Sequence, residues 1–260
     1  MRQKIDKQLV RERFGRTLAT YNSHAVVQKT MALELVDMIF CESRLLSFER
    51  VLEIGSGSGM LTAALLRRCK IKAYHANDLV AESVSSIQEV LADFAVEEFH
   101  FLAGDIENLA ALPLFLDLVV SNATLQWLED LDVFFKKISF CIRQRGLLAF
   151  SSFSTLNMQE ISTIEETGLS YYSLGELKRI AGRYFDVITC SEKEVRMEFA
   201  SPEAVLHHIR QTGVNGLFRR SWTKSQYQHF LACYRQSFSS QNGVYLTYHP
   251  VYCLLRKKIP

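Results

Sequence analysis

The stretch Val51-Leu52-Glu53-Ile54-Gly55-Ser56-Gly57-Ser58-Gly59 decides the fold. Its first four residues read as a buried strand. They run straight into a turn with glycine at every second position. Met60 to Leu66 follows and reads as a helix. Strand, glycine turn and helix together form the nucleotide-cradling unit of an open α/β sheet. Glycine suits the turn because a ligand lies against the backbone with no Cβ between them. A dinucleotide fingerprint needs its third glycine one place later, where Met60 stands. A P-loop needs Gly-Lys-Ser/Thr, which is absent. What remains is acid-x-Gly-x-Gly-x-Gly, either a cofactor loop formed by Glu53, Gly55, Ser56, Gly57 and Gly59, or a plain tight turn.

Downstream, Ile71 to Asp78 reads as a second strand ending in an acid. Asp78 falls roughly 20 residues past the turn, where a carboxylate accepts both hydroxyls of a ribose. A surface loop aspartate is the alternative. Leu79 follows it. Ala81, Val84, Ile87 and Leu91 mark a helix, and Phe99 to Ala103 a third strand. Asp105 beyond it either accepts the exocyclic amine of an adenine, with Ile106 stacked on the ring, or caps the next turn. Phe115 to Ser121 is an apolar fourth strand of a sheet covered on both faces. It ends at Asn122-Ala123, on the carboxyl edge where open sheets bind ligands. Asn122 and its backbone are candidate ligand contacts there, and Trp127 is either an aromatic surface for a cation or ordinary core. A helix over Val133 to Ile142 leads to a fifth strand, Leu147 to Phe153. Five strands with four helical crossovers, all right-handed, make one doubly wound sheet.

The two ends differ in character. Residues 1 to about 20 carry Arg2, Lys4, Lys7, Arg11, Arg13 and Arg16, with Ile5, Leu9, Val10, Phe14 and Leu18 at near-helical spacing. This is a solvated helix face or a flap that folds over a ligand. Val27, Met31, Leu35, Met38 and Ile39 form a core stripe. After residue 153, helices near 156–166 and 174–183 lead to a sixth strand, Phe185 to about Met197. Ser201-Pro202-Glu203 starts about 40 helical residues. Val244 to Leu255 is a closing strand that Pro250 should bulge or kink. The fold expected is therefore α/β, a Rossmann-like, doubly wound, seven-stranded and mostly parallel sheet with an antiparallel last strand and a helical lid insertion. Its parts are N-terminal helices or flap at 1–45, core at 46–200, lid at 201–240 and closing strand at 241–260.

Composition narrows the function. At 260 residues and 48% hydrophobic, the chain builds one sizeable core. A net charge of +2 gives nucleic acid no support. Cys41, Cys69, Cys141, Cys190, Cys233 and Cys253 sit singly, so reduced thiols and no metal are expected. The start has no apolar signal region, and no run approaches ~20 apolar residues, so no membrane segment and a cytoplasmic location are expected.

The acid-x-Gly-x-Gly-x-Gly motif resembles that of the S-adenosylmethionine-dependent methyltransferases with a Rossmann-like core. Phe14-Gly15-Arg16, Tyr21, His24-Ala25, Gly104-Asp105-Ile106-Glu107, Ser121-Asn122 with Gln126-Trp127, Gly213 and Leu246-Thr247-Tyr248-His249 carry the likeness further. Over nearly the whole chain they resemble the biotin-pathway malonyl-acyl-carrier-protein O-methyltransferases. Ser56 and Ser58 stand where Cys and Pro are frequent, and Pro250 follows the closing Tyr-His. The resemblance implies S-adenosylmethionine as cofactor, S-adenosylhomocysteine as product, and a methyl ester formed on the free carboxylate of malonyl-acyl-carrier protein, or of malonyl-CoA. Another small acid or a phenol is the alternative acceptor. A monomer is expected. Gln28, Leu79 and Ala123 join the cofactor set. A carboxylate acceptor is already ionised near neutral pH, so no catalytic base is expected, only positioning. For the acceptor, Arg210 in the lid is the first candidate because a guanidinium matches two oxygens. Arg16, Tyr21, Trp127 and His249 complete that set. A basic rim for an acidic carrier comes from Arg219, Arg220 and Lys224, or from Lys136, Lys137, Arg143 and Arg145.

Overall fold

A computed structural model describes residues 5–43, 46–165, 169–212 and 222–258. The N-terminal helices are α1 (Lys7–Thr17), α2 (Tyr21–His24) and α3 (Val26–Ser43). The core then alternates β1 (Ser47–Ile54), α4 (Met60–Leu66), β2 (Lys70–Asp78), α5 (Ser83–Leu91), β3 (Glu98–Ala103), β4 (Leu116–Ser121), α6 (Leu131–Cys141) and β5 (Ile142–Phe153). After it come α7 (Gln159–Glu165), α8 (Leu174–Ala181), β6 (Phe185–Glu192), β7 (Val195–Phe199), α9 (Pro202–Gln211) and α10 (Lys224–Ser237). The short β8 (Ser239–Ser240), β9 (Gly243–Tyr248) and β10 (Pro250–Lys257) close the fold.

Seven strands form one sheet in the order β3-β2-β1-β4-β5-β10-β6. All neighbouring pairs from β3 to β5 are parallel, and β10 runs antiparallel to both β5 and β6. The order reverses between β1 and β4, which opens a crevice at their carboxyl ends. Two apolar layers flank the sheet. One joins α3, α4 and the later helices around Leu35, Leu65 and Phe230. The other packs α6 and α8 through Phe134, Phe135 and Leu177. Among the described residues no helix is long and apolar enough to cross a membrane.

Three expectations need correction. The β3-to-β4 crossover contains no helix; residues 104–115 are turns and loop. The expected sixth strand is two strands, and so is the closing strand. Pro250 is the physical reason, because it brings no N–H to continue a ladder. Its carbonyl accepts Lys193 N–H at 3.1 Å, where β6 ends. Beyond that point β9 leaves the main sheet and pairs with β7 and β8 in a second, three-stranded antiparallel sheet. The described part of residues 201–240 packs onto the body of the protein. Phe230 and Tyr234 are fully buried in the same core as α3.

Gly59 precedes α4 with φ +76°, and a Cβ there would lie 2.9 Å from Val90 Cγ2 of α5. Gly59→Ala should destabilise the protein by about 1–3 kcal/mol in urea unfolding. Adding Val90→Ala should recover the steric share but not the backbone share; full recovery would contradict this.

Candidate functional site

The glycine turn is hung on the end of β2. Gly55 and Ser56 donate their N–H groups to the Asn77 carbonyl at 2.8 and 3.0 Å. Gly57 donates to Asp78 Oδ2 at 2.7 Å, and Val80 N–H reaches the other oxygen at 2.7 Å. The three glycines serve different ends. A Cβ on Gly55 would meet Thr124 Oγ1 at 2.1 Å, so this glycine lets the loops after β1 and β4 touch. A Cβ on Gly57 would find only Asp78 Oδ2, at 3.9 Å, so its face stays open. Gly59 makes room for α5, as above.

These elements border one cavity at the crevice. Glu53, Gly55, Ser56 and Gly57 line it from the turn, and Asp78 and Leu79 from β2. Asp105 and Ile106 line it from the loop after β3, and Asn122, Ala123 and Trp127 from the loop after β4. Tyr21 lines it from α2. The other expected residues lie elsewhere. Gln28 is buried behind the wall, its carbonyl accepting from Asn122 Nδ2 at 3.0 Å. Arg16 and Arg210 are exposed and do not border the cavity. His249 is buried and used by the backbone. Its Nδ1 accepts Leu156 N–H at 3.2 Å, and its own N–H goes to Asn157 Oδ1. Of the expected basic rim, Lys137 is spent on the carbonyls of Ile106, Glu107 and Leu109, and Arg143 on Asp117. Lys136 and Lys224 are exposed. Gly213, Arg219 and Arg220 lie outside the described residues.

The polar groups differ in what they have left to offer. Ser56 Oγ is buried with no partner. Asn122 is committed, with its oxygen accepting from Ser151 at 2.5 Å and its amide held by Gln28. Glu53 is buried and accepts from Thr62 at 2.5 Å and from Tyr74. Burial lifts its carboxyl to about 7, although the bonds from Thr62 and Tyr74 pull it down. Burial also lifts Asp78 to about 6, against the Val80 and Gly57 amides. Burial first, then the Asp78 charge, pushes the Tyr21 phenol up, so it stays protonated.

An adenosylmethionine suits this donor set. Gly57 presents an open face beside Asp78, whose carboxylate can accept from a ribose. Ser56 lines the cavity with a hydroxyl that has no protein partner, and Trp127 with Phe14 forms an aromatic wall against which a sulfonium would be stabilised.

The comparisons agree. Residues 52–150 match the family described as "Methyltransferase domain". A malonyl-[acyl-carrier protein] O-methyltransferase of Chlorobium luteolum is 51% identical over 97% of this chain and 96% of its own. The chain belongs to that family. A second member, from Prosthecochloris aestuarii, is 47% identical over 98% of this chain and 95% of its own. The YcgJ protein of Bacillus subtilis shares the fold alone, with TM-score 0.61 at 13% identity over 87% of this chain and 99% of its own.

In this malonyl-[acyl-carrier protein] O-methyltransferase family member, one wall of the cavity was not anticipated residue by residue. Lys7, Val10, Phe14 and Leu18 of the N-terminal segment border it. Phe14 stands edge-on to Trp127 with ring centroids 5.8 Å apart. The spacing of 7, 10, 14 and 18 was the available signal; it reads equally as a solvated helix face, and only the tertiary placement tells the two apart.

Glu53 and Asp78 both have folded pKa values above ordinary carboxylates. The native state therefore holds protons that the unfolded chain has released. That contribution to stability is full near pH 4 and is lost as pH climbs toward 7. Glu53→Gln removes the larger share. Its unfolding free energy should exceed that of the parent by roughly 1–3 kcal/mol at about pH 8 and match it at about pH 4. Equal stability at both pH values would contradict the assignment.

Proposed function

We propose that this chain transfers the methyl group of S-adenosylmethionine to the free carboxylate of malonyl-acyl-carrier protein, an early step of biotin synthesis. The observation that carries the reading is the span of the relationship. It covers the N-terminal helices and the segment after β7, not only the 52–150 core that methyltransferases of many substrates share.

When bound, the cofactor supplies an electrophilic methyl group on a sulfonium. The chain's part is to hold and to exclude. Asp78 accepts the ribose hydroxyls, and Asp105 with Ile106 takes the adenine. Ser56 Oγ and the backbone of Gly55 and Ala123 hold the amino-acid end. Phe14 and Trp127 keep water from the methyl group. A malonyl carboxylate needs no base, since carboxyls with pKa ~4 are ionised at neutral pH. Tyr21 remains a phenol because of burial and Asp78, so it donates to that carboxylate and does not compete for the methyl group. Orientation of this kind supplies several kcal/mol of a barrier.

Mass spectrometry of malonyl-acyl-carrier protein incubated with the enzyme and S-adenosylmethionine tests this. A gain of one methyl group on the malonyl form, and none on the acetyl form, is expected. Tyr21→Phe should lower kcat/KM for the malonyl carrier by about tenfold or more, the cost of one hydrogen bond to a charged group. Equal methylation of malonyl-CoA would move the acceptor to the thioester arm alone, and no methylation of either would overturn the reading.

A further inference from the structure

Lys7 reaches across the fold to the cofactor cavity. Its Nζ lies 3.1 Å from Asp105 Oδ1 and 2.7 Å from Glu107 Oε2, and all three side chains are largely covered. The two carboxylates sit on a fixed frame. Glu107 accepts the N–H groups of Glu129 and Asp130 at 3.0–3.1 Å, just before α6. Lys137 ties the carbonyls of the same loop to α6. The ammonium is thus the part that comes from elsewhere, on the helix whose Val10 and Phe14 wall the cavity.

The acceptor capacity of Asp105 makes this placement informative. A carboxylate oxygen offers about two lone-pair sites. Oδ1 receives Lys7 and the Glu107 N–H at 3.2 Å, and Oδ2 receives Asn108 Nδ2 at 3.0 Å. One site on Oδ2 is left, which matches a single N–H of an exocyclic amine. Without Lys7, two like charges would share the loop with no cation from α1 between them, and only the Glu107 N–H and the Asn108 amide would orient Asp105. The far end of the same segment is also fastened to the cofactor loop, since Ser58 Oγ donates to Asn22 Oδ1 at 2.5 Å.

We infer that Lys7 is a cofactor-positioning residue. It aims Asp105 at the adenine amine and locks α1 over the bound nucleoside. The inference rests on the reading of Asp105 as the adenine acceptor.

Binding and stopped-flow displacement of S-adenosylhomocysteine, followed by tryptophan fluorescence, test it on the full chain. Lys7→Met should weaken binding about tenfold, mostly through faster dissociation, as for loss of a largely covered charge pair. Lys7→Arg should restore binding to within about threefold of the parent, because the charge returns. The parent should prefer the adenosyl ligand to its deaminated inosyl analogue, and Lys7→Met should lose at least about threefold of that preference. A merely structural role for Lys7 would leave the preference unchanged. Parent-like affinity, dissociation rate and preference in Lys7→Met would overturn the inference. Failure of the parent itself to bind S-adenosylhomocysteine would instead overturn the cofactor reading.

Discussion

The site depends on four backbone N–H groups that the end of β2 collects. The Asn77 carbonyl takes Gly55 and Ser56, and the Asp78 carboxylate takes Gly57 and Val80. A turn with three glycines has many conformations to lose, and these bonds select one of them. The selected form leaves Gly57 open toward the cavity and turns Gly59 against α5. The side chain of Asn77 extends the same anchorage. It donates to the carbonyls of Leu102 and Gly104 at 2.7 and 2.9 Å, which ties the loop that carries Asp105. Strand, turn and the loop after β3 are therefore tied together by hydrogen bonds.

This arrangement stores electrostatic cost at the point of use. Two acids, Glu53 and Asp78, are buried near the turn, and burial raises both. Burying a carboxylate is unfavourable unless donors meet it. Thr62 and Tyr74 meet Glu53, and backbone amides meet Asp78. A ribose would bring Asp78 the further donors that its surroundings withhold. The same environment, burial first and then the Asp78 charge, keeps Tyr21 protonated.

Much of this was legible in the sequence, and the limits are specific. The β1–turn–α4 unit, Asp78 and the parallel half of the sheet follow from strand periodicity and glycine placement, which are local signals. The kink at Pro250 was legible, but not its consequence, because a missing N–H does not say which sheet the next strand joins. The helix-free crossover at 104–115 was invisible, since right-handed connection rules assume a helix but do not require one. Arg210 has the chemistry to hold a carboxylate, yet the spacing of α9 turns it to solvent. In the sequence Lys7 is one of a basic run, and its pairing with Asp105 and Glu107 lies in tertiary structure alone.

The most direct measurement is a crystal structure of the protein with S-adenosylhomocysteine. Both ribose hydroxyls are expected on the Asp78 carboxylate, with the nucleoside lying against the Gly55–Gly57 backbone and the adenine between Ile106 and α1. A nucleoside bound away from that turn, or a ribose with no contact to Asp78, would contradict it.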